Sequence, residues 1–395
     1  MTANGMKNRL KAVVRNAKNA LARSYMNTCA LVRPVEKKIV FMSFLGKQYS
    51  DNPRAISEKM HELYPDFKLV WVLDSHSASA GTPPDYVSTV EPGMGRYTEI
   101  ATAFSYVTNT NNDPDLAKRR GQFFIQTWHG DGGFKKILYA NSRGRTQYVP
   151  VTDNAITDVC MAGSAYGEKK YRVAFQYQGE ILSVGCARND KLLHPDAAEV
   201  QAIRNRLSLS EGQKVLLYAP TFRAKNRGKQ AIDVDLEEVL RHLKARDGRE
   251  WTCLVRAHPT ARFDAALNGN GLRDVSSYPD MADLLLIADF LITDYSSCAS
   301  DFVLTRRPVV LAVFDRKNYD QSERALNVAL EDTGFIFAED QDQLNRIIDS
   351  YSEADYRDSC ERVLDFYGST ETGEASERIC EIINERYQAL MAQRR

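Results

Sequence analysis

Twice along this chain, short apolar runs that close on turn residues alternate with amphipathic stretches of helical length. This alternation constrains the fold more than any other feature, because strand, helix, strand in series builds a parallel sheet covered on both faces. The first series opens with the apolar run KIVFMSF (38–44), a turn rich in Gly and Asn-Pro (46–53), a helix (54–65) ended by proline, and a second strand (68–74). Strands at 85–90, 105–110, 121–128, 158–163 and 179–185 extend it, with a helix from about 164 to 175. The second series starts with KVLLYAPTFR (214–223), a helix over 235–246 and the strand WTCLVRAHP (251–259). Helix, strand and turn follow over 281–297, then helix and strand over 297–313, and from about 339 the pattern is helical.

At 395 residues the chain exceeds one ordinary core. The expected architecture is α/β: two facing Rossmann-like domains with a cleft between them, preceded by an amphipathic helix. The boundaries are 1–37 for a basic N-terminal helical segment, 38–190 for the first domain, 191–370 for the second and 371–395 for a C-terminal helix.

Formal charge sums to zero but is unevenly spread. Residues 1–38 hold nine Lys/Arg against one acid, and the remainder holds 43 against 51. A basic segment on a mildly acidic body points to an anionic surface as partner of that segment, and away from nucleic acid as partner of the whole. Met6, Leu10, Val13, Val14, Ala17 and Leu21 form one helical stripe flanked by Lys7, Lys11, Arg15, Lys18 and Arg23. Residues 1–32 are therefore expected to bind an anionic membrane; the alternative is a stripe packed on the domain. No apolar run approaches the roughly 20 residues of a membrane span, and the basic N-terminus lacks the apolar core of a secretory signal. Seven scattered cysteines without a C-x-x-C pair fit a reducing compartment and offer no zinc site.

Candidate chemistry sits where strands end. QTWHGDGGFKK (126–136) puts His129 after an apolar strand, followed by Gly130, Asp131 and Lys135. Residues 134–139 have helical potential, which predicts a strand-to-helix turn at His129, and ligands of open α/β sheets bind at carboxyl ends of strands. The second series offers Thr221 and Arg223, then Arg256 and His258, then Asp294, Ser296 and Ser297. The last group opens a helix whose unpaired N–H groups suit a phosphate; capping by Asp294 or Ser296 accounts for the same residues. Together these loops suit a diphosphate substrate held between two domains.

QTWHG, GEILSVGCARND, YAPTFR, RAHP and DLLLIADFLITDYSSCASDFVLTRRPVVL, with FLGKQYSDNP near the start, resemble the CDP-glycerol glycerophosphotransferases that build teichoic acids and capsule polymers. The resemblance runs in order from about residue 38 to 370. It departs at Asp131-Gly132-Gly133, where Thr-Pro-Leu is familiar, and at Ala187, where proline is common. It implies a GT-B enzyme at the cytoplasmic face of the membrane. Such an enzyme transfers glycerol phosphate from CDP-glycerol to a hydroxyl of a lipid-linked polymer and releases CMP, without cofactor or metal.

On this reading His129 is the base and His258 supports the leaving phosphate. Thr221, Arg223, Arg256, Asp294, Ser296, Ser297 and Arg188 hold the donor, and Gly46, Asn52, Gly130, Asp131 and Lys135 lie on the acceptor-side loops. Alternatives are a ribitol-phosphate transferase, another GT-B enzyme using a nucleotide sugar, and a non-catalytic membrane-bound assembly factor.

Overall fold

The structure is a computed structural model that describes residues 3–112, 114–141, 151–221, 234–257, 270–316 and 326–394. Two all-parallel sheets organise it. The first contains β1 (Glu36–Met42), β2 (Lys68–Val72), β3 (Ser88–Val90), β4 (Ala103–Thr108), β5 (Phe123–Gln126), β6 (Val159–Met161) and β7 (Glu180–Leu182), in the order β3-β2-β1-β4-β5-β6-β7. The second contains β8 (Lys214–Ala219), β9 (Trp251–Val255), β10 (Leu272–Asp274), β11 (Phe290–Thr293), β12 (Val309–Ala312) and β13 (Phe337–Ala338), in the order β10-β9-β8-β11-β12-β13. Both orders reverse beside their first strand, between β1 and β4 and between β8 and β11. At such a switch point the loops leave in opposite directions and open a crevice at the carboxyl ends of the strands.

The central strands read as unbroken apolar runs because helices cover both faces. Val40, Phe41, Tyr106 and Val107 are fully buried in the first sheet, as are Val215, Leu216, Leu291 and Ile292 in the second. Helix Asp51–Leu63 packs its Ile56 and Met60 into the first core. The C-terminal helix Ala375–Ala392 returns to that same core through Ile379, Cys380 and Ile383, so this last helix crosses back to the first domain.

The N-terminal helix runs from Ala3 to Val32. It packs through Ala22, Met26 and Cys29, while Leu10, Val13, Val14 and Leu21 are exposed. The apolar stripe noted in the sequence is thus not the surface by which the helix docks on the domain.

One expectation is overturned. No α-helix follows His129; the chain runs as a loop to a short 3-10 turn at Leu138–Asn141. The reason is tertiary. Phe134 is fully buried in the core of the second domain, 5.4 Å from the ring of Phe335. Lys135 pairs with Leu326 in an antiparallel bridge, and the Asn327 N–H donates to the Phe134 carbonyl at 2.7 Å. A segment pinned across to the other domain cannot coil on itself, whatever its intrinsic propensity.

Candidate active site

His129 lies three residues beyond β5, beside the switch point of the first sheet. Asn109, just past β4, ties that point together. Its amide donates to the Ser43 hydroxyl at 2.9 Å, and its side-chain oxygen accepts the Phe44 N–H at 2.8 Å. Its carbonyl lies 2.7 Å from His129 Nδ1. A carbonyl only accepts, so Nδ1 carries the proton and the neutral ring presents Nε2 as an acceptor. Phe44 and Trp128 pack on the ring at 5.3 and 4.1 Å between centroids. Burial pushes His129 down to about 4 against the Asn109 bond, and nearby Arg188 and Lys170 act in the same direction as burial. The ring is therefore neutral at pH 7.

Backbone strain gathers here. Phe44, Leu45, Asp51 and Trp128 all hold positive φ, between 47° and 65°, without being glycine. Asn52 restrains this region: its amide donates to the Trp128 carbonyl at 3.1 Å, and its side-chain oxygen accepts the Arg188 N–H at 3.0 Å. Gly46 follows the strained pair at φ 84°, and a Cβ there would stand 2.9 Å from Pro92 Cγ.

The loop after His129 is held against the second domain. A Cβ on Gly130 would lie 2.7 Å from Ser297 Oγ, and one on Gly132 would lie 2.7 Å from Ser300 Cβ. The Ser300 hydroxyl donates to the Gly132 carbonyl at 2.6 Å. At Gly130 and Gly132 the absence of a side chain lets this loop approach Ser297 and Ser300 of the second domain. Asp131 accepts the Ser164 hydroxyl at the start of helix Ala165–Ala174, which is not the helix expected to follow it. Lys170 of that helix donates to the carbonyls of Gly130 and, at 2.7 Å, Asp131. Burial lowers its pKa, with Asp131 opposing.

In the second sheet Asp294 follows β11 and accepts the Thr221 N–H at 2.9 Å and the Thr221 hydroxyl at 3.0 Å, spanning that sheet's switch point. Ser296 and Ser297 precede a short helix, Cys298–Phe302, and both are partly exposed. Arg256 follows β9, with Nη2 3.5 Å from the Pro279 carbonyl and a buried Nη1 that lacks any hydrogen-bond partner among the described residues. His258 and Arg223 lie outside the described residues. Among the described residues no group of three or more His, Cys, Asp or Glu is arranged to hold a metal ion.

Arg188 is buried between the domains. It makes a two-pronged pair with Asp301, Nη2 to Oδ1 at 2.9 Å and Nε to Oδ2 at 3.2 Å, and Nη1 is 3.6 Å from Asp51. Burial pushes Asp51 up to about 6 against the pull of Arg188. A parallel set links Arg54 to Asp280 and Asp283, with Lys191 also on Asp283 at 2.9 Å.

Glu371 accepts the Cys186 N–H at 3.0 Å and the Asn189 amide at 2.8 Å. Burial dominates and pushes it up to about 8. A carboxyl that keeps its proton in the fold and loses it near 4.5 when unfolded makes stability fall as pH rises from about 4.5 to about 8. Glu371→Gln removes that slope, so the gap in melting temperature between variant and wild type shifts in the variant's favour from pH 5 to pH 8.5. A gap that is constant across this range, measured by thermal melts, would show that Glu371 does not hold its proton.

Sequence reasoning missed Lys170, Asn109 and the Arg188–Asp301 pair. Asn109 ends an apolar strand and was reachable by the rule that found His129. Lys170 sits among the ordinary charges of a helix, and 113 positions separate Arg188 from Asp301.

Two parallel α/β domains that bring a neutral histidine loop from one sheet against the helix start of the other define a two-domain, Rossmann-like transferase architecture. Residues 25–385 match the CDP-glycerol:poly(glycerophosphate) glycerophosphotransferase family, and the chain belongs to it. A teichoic acid poly(glycerol phosphate) polymerase of Staphylococcus epidermidis is 30% identical over 80% of this chain and 47% of the relative. A teichoic acid glycerol-phosphate transferase of Staphylococcus aureus is 29% identical over 78% of this chain and 82% of the relative. The chain thus spans about half the length of the first of these. The wall teichoic acid polymerase TagF, in a histidine-to-asparagine variant soaked with CDPG, superposes with a TM-score of 0.82 at 27% identity, covering 99% of this chain and 100% of that one.

Proposed function

We propose that this protein transfers glycerol phosphate from CDP-glycerol to a hydroxyl of a teichoic-acid-like polymer and releases CMP. The observation that carries the reading is His129. It is a neutral imidazole with Nδ1 committed to Asn109 and Nε2 free to accept, on a loop seated against Ser297 of the other domain. The reaction takes place in a cleft between the two facing domains. His129 Nε2 takes the proton of the acceptor hydroxyl as its oxygen attacks the glycerol-side phosphorus. The phosphorus–oxygen bond to CMP breaks, and the monoester leaves without needing full protonation, since its second pKa is roughly 6. Phosphoryl transfer depends mostly on positioning and electrostatics. The unpartnered Nη1 of Arg256 supports a donor phosphate at that strand end. Ser296, Ser297, Thr221, Arg223 and His258 complete the donor side, with side chains rather than a metal supplying the positive charge.

Purified protein with radiolabelled CDP-glycerol and a panel of lipid-linked acceptors tests the reading by mass spectrometry of products. Acceptors lengthened by glycerol phosphate, with CMP release that survives EDTA, are expected. Transfer from UDP-sugars without glycerol phosphate transfer overturns it. Changing Ser296 and Ser297 together to alanine, which removes both hydroxyls without crowding Gly130, raises the CDP-glycerol dissociation constant in a protein that still folds; unchanged affinity by calorimetry removes them from the donor site.

The same reading places the protein on the cytoplasmic face of the membrane as a peripheral enzyme. No helix among the described residues is long and apolar enough to cross a bilayer. Support comes from the exposed Leu10, Val13, Val14 and Leu21 beside exposed Lys11, Arg15 and Lys18. Each basic residue near an anionic surface contributes about 1 kcal/mol. Replacing Leu10, Val14 and Leu21 by serine abolishes sedimentation with anionic vesicles while leaving melting unchanged. Vesicle binding equal to wild type places the attachment elsewhere.

A further inference from the structure

The amino ends of the second sheet carry a cleft that the transfer chemistry does not use. β8, β9, β11 and β12 begin here, and with the end of helix Leu236–Asp247 and the start of helix Glu353–Tyr367 they enclose about 460 Å³. β8 is six residues long, so roughly 17 Å of strand separates this cleft from the Thr221 end of the sheet. Lys214, Arg246, Arg249, Arg306, Arg307 and Arg357 line it, against the carboxylates of Asp247, Asp289 and Glu353.

Two of the six cations are neutralised, Lys214 by Asp289 at 2.7 Å and Arg306 by Glu361 at 2.9 Å. The other four are in no ion pair among the described residues, although Asp289 also acts on Arg307 across the cleft. Arg246 donates to the Ile348 carbonyl at 3.0 Å and Arg307 to the Leu286 carbonyl at 3.0 Å, bonds that fix a guanidinium without cancelling its charge. Arg249 and Arg357 are exposed at the rim, with no side-chain partner among the described residues. Fixed positive charge of this density is notable in a body that, beyond residue 38, carries 43 Lys/Arg against 51 Asp/Glu.

Guanidinium forks match phosphate oxygens two at a time. The volume is far larger than one phosphate needs, and the four guanidiniums outside ion pairs come from the end of helix Leu236–Asp247, the turn after it, the approach to β12 and helix Glu353–Tyr367. That arrangement fits an anion that repeats along a chain, because successive charges engage successive arginines without a new association event. A recess between two helix ends also suits a threaded chain better than a planar array of lipid headgroups.

We propose that this cleft binds a glycerol-phosphate phosphodiester chain and holds it at a distance from the transfer site. The inference rests on the proposed function for the identity of the polymer. Its test is the full chain carrying Arg249→Gln and Arg357→Gln together, two exposed changes that break no described contact. Fluorescence anisotropy with a labelled synthetic glycerol-phosphate hexamer at low salt reads the affinity. The double variant is expected to bind the hexamer at least tenfold more weakly and with a shallower salt dependence, while keeping wild-type turnover of CDP-glycerol with a minimal acceptor. Unchanged hexamer affinity overturns the proposal. Loss of binding to phosphatidylglycerol vesicles with hexamer binding intact also overturns it, and assigns the cleft to a lipid headgroup. A wild-type protein that transfers no glycerol phosphate sinks the proposed function instead, a result the hexamer titration does not touch.

Discussion

His129→Ala lowers turnover of CDP-glycerol by about 10²–10⁴-fold, the range for loss of a general base, with little change in the donor's dissociation constant. The geometry separates these two quantities. Nδ1 is spent on the Asn109 carbonyl, and the ring is wedged between Phe44 and Trp128, so removing it deletes one acceptor without deleting a donor contact. The pH dependence carries a sharper signature. Burial holds His129 at about 4 in the free protein, so the acid limb of kcat/KM falls well below the 6.5 of an ordinary histidine. A bound diphosphate brings negative charge to the ring and favours the imidazolium, which moves the acid limb of kcat upward. The two limbs therefore separate, with that of kcat at the higher pH. The same depressed value makes His129 a source of acid lability, because the unfolded chain takes up a proton from pH 6.5 downward while the fold resists it until about 4. A folded His129→Ala protein that releases CMP at a near-normal rate with a true acceptor excludes the mechanism.

Local patterns in the sequence carried the strands other than β10 and β13, the helix Asp51–Leu63 and the position of His129 at a strand end, because burial on both faces and turn chemistry are written within a few residues of each element. They failed where the partner is remote. Residues 134–139 have the composition of a helix, but Phe134 finds its place beside Phe335 in the other domain. The close approach of Gly130 and Gly132 to Ser297 and Ser300 joins positions more than 160 residues apart, and no local pattern announces it. The arginines of the amino-end cleft are spread over more than a hundred positions and form no motif at all.

Arg188 is the residue whose part changes most between sequence and structure, and its replacement is expected to be the most damaging to stability. The sequence groups it with the donor ligands. In the fold its guanidinium is committed to Asp301 of the second domain and stands beside Asp51 of the first, all three buried. Burial would weaken its hold on its proton, and the two carboxylates more than offset this. Arg188→Leu strands Asp301 without its partner, and breaking a buried pair from one side costs about 3–5 kcal/mol. Because two domains share the pair, the loss is read as a lowered or split melting transition rather than as one unfolding free energy. Replacing Arg188 and Asp301 together by leucine removes both charges and restores most of the melting temperature. Donor affinity then discriminates between the two roles. If Arg188 only fastens the domains, the double variant recovers CDP-glycerol binding along with its stability. If it recovers stability but binds the donor at least tenfold more weakly than wild type, Arg188 reaches the substrate in a state of the protein in which the pair with Asp301 is open.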